Sequence, residues 1–182
     1  MNHWSVFRRS FLYKKAKPRF AANSRCNPGS EIIGEVLVGE NTNIGKCKIV
    51  SQEGSVILIG KNTNVRDNIL ISASESATGQ GSNIFIGSKV FISSNVEIYG
   101  PVLISDETFI GTRTMIINSD IGKGCLIEDN VLIKNVVIPS NIVIPSRSVI
   151  DSVESLYRVI SSMNQGGFCE LVFENKDNGL FA

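Results

Sequence analysis

The sequence has almost no histidine, no long apolar run and no closely spaced cysteines, and each lack narrows the function. Its 182 residues contain one histidine, His3. No apolar run approaches the roughly 18 residues that a membrane span needs, which predicts no transmembrane helix. The four cysteines lie far apart with no CxxC pair, which favours reduced thiols in a cytoplasmic protein over a disulfide framework or zinc site. A net charge of +1 provides no overall field for nucleic acid, so no nucleic-acid partner is expected.

Isoleucine recurs every six residues across the second half of the chain, apart from five-residue steps from Ile116 to Ile121 and from Ile133 to Ile138. The guide positions are Ile86, Ile92, Ile98, Ile104, Ile110, Ile116, Ile121, Ile127, Ile133, Ile138, Ile144 and Ile150. This period excludes an amphipathic helix, whose apolar stripe recurs every three to four residues. Hexapeptide repeats indicate a parallel β-helix, in which each coil buries its apolar edge against the next.

A second set of positions supports the same fold. Earlier guides are Ile32, Val38, Ile44, Val50, Ile59, Val65 and Ile71. Small or β-branched residues follow many guides by four positions, as at Thr42, Thr63, Val90, Val96 and Thr108, and both sets are expected to point inward. Glycine often follows the guide directly, where it suits a corner. Three hexads make one triangular coil, which predicts about six coils.

The chain divides into three regions. We expect a basic N-terminal arm over 1–30, a β-helix domain over 31–151, and a C-terminal helix and tail over 152–182. Within the arm, residues 4–15 have helical spacing; they could pack on the first coil, bind an anionic membrane or partner, or target the chain to an organelle. The segment 151–164 is predicted to be helical and 169–173 to be a strand. Polar interruptions at 52–56 and 73–83 break the repeat.

Two stretches carry a more specific resemblance. They are Gly54–Ser72 (GSVILIGKNTNVRDNILIS) and Ile86–Ile133, which includes Tyr-Gly-Pro at 99–101 and Phe-Ile-Gly at 109–111. Over about residues 30–150 the chain resembles the γ-class carbonic anhydrases and the related carboxysomal scaffold domain. Hexapeptide prisms of this kind are left-handed, so the expected fold class is an all-β, left-handed parallel β-helix with a C-terminal α-helix.

The resemblance also implies a site, and this chain departs from it. In that family, three histidines from two neighbouring subunits bind zinc, or iron in some members, whose bound water becomes a nucleophile. The matching positions hold Ser72, Ser94 and Tyr99, and hydroxyls are poor replacements for imidazole. The family's interface arginine and aspartate fall on Val50 and Gln52. We therefore predict no metal and no cofactor, with Ser72, Ser94 and Tyr99 lining a relict metal pocket.

Two acids match family positions and remain weak acid/base candidates, Glu53 and Asp67. The leading functional hypothesis is a catalytically inactive, trimeric scaffold or assembly subunit, in a carbon dioxide-concentrating context or another large assembly. Flat prism faces favour a closed homotrimer, or a heterotrimer with related subunits. The alternative is a hexapeptide acyltransferase with Glu53 or Glu75 as its base, since His3 lies outside the repeats. Small-molecule binding in the relict pocket is a third hypothesis.

Overall fold

The computed structural model describes residues 17–74 and 82–164, and over these residues it confirms the predicted fold class: a left-handed parallel β-helix followed by one helix. The predicted helix over 4–15 and strand over 169–173, together with His3, Glu75 and Cys169, lie outside the described residues. The strands are β1 (Arg19–Phe20), β2 (Arg25–Cys26), β3 (Glu31–Ile33), β4 (Val36–Val38), β5 (Asn43–Ile44), β6 (Lys48–Ser51), β7 (Ile57–Ile59), β8 (Asn64–Val65), β9 (Leu70–Ala73), β10 (Ile84–Ile86), β11 (Phe91–Ile92), β12 (Glu97–Ile104), β13 (Phe109–Ile110), β14 (Met115–Ile121), β15 (Leu126–Ile127), β16 (Leu132–Lys134), β17 (Val137–Ile138), β18 (Val143–Ile144) and β19 (Val149–Ile150). The helix α1 is Val153–Asn164.

The strands stack into three flat faces of a triangular prism. Face 1 holds β1, β4, β7, β10, the second halves of β12 and β14, and β17. Face 2 holds β2, β5, β8, β11, β13, β15 and β18. Face 3 holds β3, β6, β9, the first halves of β12 and β14, β16 and β19. Corner A joins face 1 to face 2, corner B joins face 2 to face 3, and corner C joins face 3 to face 1.

Each face contributes one column of guide residues to the core. The face 1 column is Phe20, Val38, Ile59, Ile86, Ile104, Ile121 and Ile138, of which Phe20 in the first coil is 43% exposed and the others are buried. The face 2 column is Cys26, Ile44, Val65, Ile92, Ile110, Ile127 and Ile144. The face 3 column is Ile32, Ile49, Ile71, Ile98, Ile116, Ile133 and Ile150. All twelve isoleucines of the predicted ladder are buried, as are the predicted second positions such as Thr63, Val96 and Thr108.

Two details of the predicted repeat were wrong. The prism has seven coils and not six, because Arg19–Phe20 and Arg25–Cys26 pair with the second coil although their sequence lacks the isoleucine repeat. The guide on β6 is Ile49 and not Val50, since Ile49 pairs with Ile71 in the core and is fully buried. The interruption after β6 removed the spacing that would have fixed this register.

The threonines of the second inward set also link neighbouring coils. Thr42 Oγ1 donates a 2.7 Å hydrogen bond to the Gly60 carbonyl oxygen, and Thr63 Oγ1 donates one of 2.9 Å to that of Gly87. The Thr42 oxygen in turn accepts from the Thr63 backbone N–H at 3.2 Å. A buried hydroxyl is stable only when paired, so these bonds explain how threonine alternates with valine in the interior.

The glycines after the guides permit close approach of the coils. A Cβ built on Gly60 would lie 2.5 Å from the Gly87 carbonyl carbon, a distance that real side chains do not tolerate. The left-handed backbone of the turn is provided instead by other residues, such as Asn41 and Asn62, with φ of 55° and 56°. Asparagine adopts this conformation more readily than most residues.

Helix α1 lies on the last coil. Its Leu156 and Ile160 are buried, and it contacts β18 and β19. The Ser155 N–H donates to Ser152 Oγ at 3.2 Å, while the Ser152 N–H donates to Ser155 Oγ at 3.1 Å. This reciprocal capping satisfies donors at the helix start. The helix thus covers apolar residues at the end of the prism that would otherwise face water.

Candidate functional site

Ser72 and Tyr99 lie side by side on the outer surface of face 3. Ser72 follows the buried Ile71 in β9, and Tyr99 follows the buried Ile98 in β12, so strand alternation turns both side chains outward. Their backbones are direct partners in the parallel pairing of β9 with β12. The outward column continues with Val50 on the Ser72 side and Ile117 on the Tyr99 side.

The Tyr99 phenol is held by a carboxylate of its own strand. Its O–H donates a 2.6 Å hydrogen bond to Glu97 Oε2. This hydrogen bond raises the pKa of the Tyr99 phenol above its ordinary value, with burial and the Glu97 charge acting in the same direction. The phenol therefore stays protonated at neutral pH, and its proton is already donated to the Glu97 carboxylate. The sequence signal for Glu97 is the two-residue spacing, which puts both side chains on one side of a strand, and our sequence analysis missed it.

Ser94 and Asp67 lie on the other edge of face 3, at corner B. The Asn95 N–H donates to the Asp67 carbonyl oxygen at 3.2 Å, which puts the turn containing Ser94 directly on the turn containing Asp67. The turn at Ser94–Asn95 and the strand that follows it separate Ser94 from Tyr99, and the stretch from Val96 to Tyr99 alone spans about 10 Å. Within one chain the structure therefore brings Ser72 to Tyr99 and Asp67 to Ser94, but keeps the two pairs apart.

Asp67 makes a bond between coils that is repeated elsewhere in the prism. Its Oδ1 accepts a 2.7 Å hydrogen bond from the Lys46 backbone N–H. Asp106 accepts in the same way from Ser88, and Asp129 from Thr112, both at 2.7 Å. A charged acceptor on a backbone donor stabilises each corner. Asp67 thus has a structural role that two other aspartates share.

Glu53 is exposed at corner C, in the first interruption of the repeat. Hydrogen bonds join this turn to the end of the second interruption. The Ser82 N–H donates to Ser55 Oγ at 3.0 Å, and the Val56 N–H donates to Asn83 Oδ1 at 2.9 Å. The two polar interruptions of the repeat therefore share one corner, beside the edge of face 3 that carries Ser72 and Tyr99. Glu53 lies on the same side of the prism as Ser72, one coil away along the chain.

The residues at the family's metal positions do not fit a zinc or iron ion. They supply two serine hydroxyls and a protonated phenol, whereas zinc sites in proteins use imidazole, thiolate or carboxylate. Among residues 17–74 and 82–164, no three His, Cys, Asp or Glu side chains are close enough to hold a metal. Cys47 is buried, and burial raises the pKa of its thiol to about 11, so it supplies no thiolate ligand near neutral pH.

An apolar set on the outer surface was also missed by the sequence analysis. The residue immediately before a guide points outward, and at several coils it is large and apolar. Phe91 and Phe109 stack on face 2 with ring centroids 5.3 Å apart, and Leu58, Phe85 and Leu103 are exposed on face 1. The sequence signal for this set is a large apolar residue directly before a guide residue. Because consecutive side chains of a strand point to opposite sides, such a strand has apolar residues on both of its sides.

Comparison with known proteins agrees with this structure. No protein-family model matches the chain. A carbonic anhydrase of Methanosarcina thermophila is 29% identical over a region covering 56% of this chain and 47% of that protein. The carboxysome assembly protein CcmM of a Nostoc species is 32% identical over 56% of this chain and 19% of its own. The chain thus spans about half the length of the first relative and a fifth of the second.

Solved structures share the fold at lower identity. A candidate acetyltransferase of Bacillus cereus has a TM-score of 0.66 at 22% identity, covering 84% of this chain and 89% of its own. LpxA of Bacteroides fragilis, a UDP-N-acetylglucosamine acyltransferase, has a TM-score of 0.58 at 17% identity, covering 87% and 76%. The resemblance seen in the sequence is confirmed: this is a hexapeptide-repeat β-helix protein similar in sequence to a carbonic anhydrase and to the carboxysome assembly protein CcmM.

Proposed function

We propose that this chain is a trimeric, catalytically silent relative of the γ-class carbonic anhydrases that acts as a scaffold or assembly subunit. The observation that carries the proposal is the separation of Ser94 from the Ser72–Tyr99 pair across face 3. The resemblance implies a pocket completed by two subunits. In a closed trimer, corner B of one chain would bring its Ser94 to the Ser72 and Tyr99 of the next.

The surface around Ser72 and Tyr99 suits such a contact. Val50 and Ile117 are half-buried neighbours of the pair in the same outward column, and Leu70 and Met115 flank Glu97 in the adjacent column. Apolar side chains at the centre of a surface with polar groups among them are typical of subunit contacts. A threefold arrangement repeats one such contact and leaves no partner surface open.

Catalytic silence follows from the chemistry of the pocket residues. Hydration of carbon dioxide in this family depends on a metal-bound hydroxide, and the three hydroxyls at Ser72, Ser94 and Tyr99 are not suitable ligands. Without that nucleophile, Glu53 and Asp67 have no proton-transfer step to support. Asp67 is moreover occupied by the Lys46 N–H. The remaining pocket is a candidate for binding a partner side chain or a small molecule.

The likeness to CcmM supports an assembly role, with this chain as a homotrimer or as one subunit among related active subunits. No helix in residues 17–74 and 82–164 is long and apolar enough to cross a bilayer. We propose the cytoplasm as the compartment and a carbon dioxide-concentrating assembly as the context.

Metal content and carbon dioxide hydration, measured on the purified oligomer, test the silent site. We expect less than stoichiometric zinc or iron after growth in metal-supplemented medium, and a hydration rate equal to that of buffer. Zinc bound at one ion per subunit, or hydration above that background, would refute the proposal. The Tyr99→Phe variant is the control, since it removes the hydroxyl without creating a ligand.

Acyl transfer is the second candidate, and the fold likeness to two transferases is what favours it. Glu53 would have to act as the base, and it is exposed at corner C. Calorimetric titration with acetyl-coenzyme A separates the two functions. The transferase function would be supported if the protein binds acetyl-coenzyme A and transfers its acetyl group, and if Glu53→Gln keeps the binding but abolishes the transfer. The absence of binding heat at millimolar ligand would dismiss this function.

A further inference from the structure

Face 1 carries an unbroken apolar stripe on its outer surface. Leu37, Leu58, Phe85 and Leu103 are direct partners on four successive coils, and each precedes a buried guide residue. Leu58, Phe85 and Leu103 are each about 40% exposed, at 38%, 41% and 41%. Four large apolar residues in a row on a flat sheet are an unusual surface to leave in water.

A furrow runs beside this stripe along corner A. One part, of about 430 Å³, is lined by Leu37, Leu58 and Gly60, and a second part, of about 300 Å³, by Leu58, Phe85 and Leu103. The other edge of the furrow carries charged residues, Glu40 and Lys61 in the first part and Asp106 and Lys123 in the second. An apolar wall beside a charged edge suits an amphipathic helix that lays bulky side chains along the prism axis.

The described part of the chain begins at the foot of the same face. Residue 17 is the first described residue, and β1 begins two residues later with Arg19, whose backbone pairs with Leu37. The sequence of 4–15 places Trp4, Phe7 and Phe11 at helical spacing. Pro18 disfavours helical backbone at residue 17, which leaves a short connection for turning the chain from the prism axis into the direction of β1.

The segment and the stripe match in length. A helix over 4–15 would be about 18 Å long. The stripe spans three coil steps, or roughly 14 Å. Running upward from the foot of face 1, such a helix would bring its N-terminal end, with Trp4, to the level of Leu103. Asp120 lies on the next coil in the same column and is exposed. A carboxylate there complements the positive end of the helix dipole.

We propose that residues 4–15 dock as a helix on this stripe, formed by Leu37, Leu58, Phe85 and Leu103 of the same chain. Face 1 lies opposite corner B, so this docking is independent of the proposed trimer contact through face 3 and corner B. The basic side chains of the segment would face solvent. In this arrangement the segment covers the prism and is not free for a membrane or a targeting receptor.

The fluorescence of Trp4, the one tryptophan of the chain, reports the docking in the full-length protein. We expect blue-shifted emission and protection from acrylamide in the unmodified protein. Leu103→Asp should shift the emission to the red and increase quenching severalfold. The matched control is Leu126→Asp on face 2, where Leu126 is 39% exposed, and it should leave Trp4 unchanged. Leu103→Asn is the milder variant if Leu103→Asp does not fold, as judged by circular dichroism.

Three outcomes would overturn the inference. Red, freely quenched Trp4 emission in the unmodified protein would show that the segment does not dock. A lower mass by light scattering for Leu103→Asp, with Trp4 unchanged, would make face 1 a contact between copies of the chain. Emission that turns blue only with phosphatidylserine vesicles would make a membrane the partner. Since the mass is measured on every variant, loss of docking and loss of the trimer are distinguishable.

Discussion

Tyr99 pairs in register with Ser72, and its hydroxyl is turned along its own strand to donate a 2.6 Å hydrogen bond to Glu97. Both side chains emerge from face 3 at positions where the resembling enzymes place two of their three metal ligands. The third position, Ser94, is on the far edge of the same face. The proposed pocket would therefore be complete only where two chains meet, and its chemistry would be that of hydroxyls.

Restoring the ligands tests this geometry. The triple variant Ser72→His, Ser94→His, Tyr99→His is expected to bind zinc at one ion per subunit, because imidazoles would then converge between neighbouring chains. The double variant that keeps Ser94 has one ligand fewer. Its zinc affinity should be lower by about 10–100-fold or more, because even the loss of an outer-shell partner has an effect of that size. Zinc titration with a colorimetric chelator measures both. Equal affinities for the double and triple variants would contradict a pocket shared between chains.

The proposed contact surface is testable by charge insertion. Ile117→Arg adds a cation beside Tyr99 on face 3. We expect this variant to be monomeric, because burying an unpaired charge in the contact costs roughly several kcal/mol. The control is Val137→Arg at a 67% exposed position on face 1. Light scattering reads the mass of each. Retention of the assembled mass by Ile117→Arg would remove face 3 from the interface.

The repeated aspartate bond predicts equal effects at two turns of corner B. Asp67→Ala and Asp129→Ala should each lower the free energy of unfolding by about 1–3 kcal/mol, since each leaves a backbone N–H without its charged acceptor. Asparagine variants keep an acceptor and should lose less. Urea unfolding measures the differences. A much smaller loss for Asp67→Ala than for Asp129→Ala would mean that Asp67 is retained for another purpose.

Two glycines should respond to alanine for different reasons. Gly60→Ala forces a methyl group against the Gly87 backbone. It should lower the free energy of unfolding by about 1–3 kcal/mol or more, because backbone atoms cannot move aside as the end of a flexible side chain can. Gly54 has open space around it but a φ of 76°, so Gly54→Ala should cost only about 1 kcal/mol of backbone strain. Thermal unfolding of both variants decides. The reverse order would contradict the close packing of coils.

Stability should fall in alkaline solution because of a buried thiol. Burial raises the pKa of Cys47 from 9.0 to about 11, so the folded protein holds this proton over a pH range in which the unfolded chain releases it. The contribution is complete below pH 9.0 and is lost as the pH rises towards about 11. Burial also raises the pKa of Cys125. Cys47→Ala should therefore weaken the pH dependence without abolishing it; an unchanged slope would contradict the assignment.

The sequence was sufficient for the prism because its signal is local and repeated. Isoleucines on a six-residue period have one way to be buried together, and all those from Ile86 to Ile150 are buried. The prediction of Val50 as a guide is wrong because the turn at 52–56 interrupts the period and hides the pairing of Ile49 with Ile71. The first coil was not predicted because residues that pair with the second coil, such as Arg19 and Arg25, are polar.

The candidate site was only partly accessible from the sequence. Residue matching named Ser72, Ser94 and Tyr99, but the partition of these residues to two edges of face 3 depends on which strands pair. The Glu97 contact depends on a rotamer, and the apolar stripe on face 1 depends on the register of four separate strands. These are long-range relationships that residue spacing alone does not determine.

The mass of the unmodified protein in solution shows whether copies of the chain associate. The pocket between chains, its silent chemistry and the scaffold role all require that copies associate through face 3. Sedimentation equilibrium at low micromolar concentration should give three times the 19.8 kDa chain mass. A stable species of 19.8 kDa under those conditions would contradict the account.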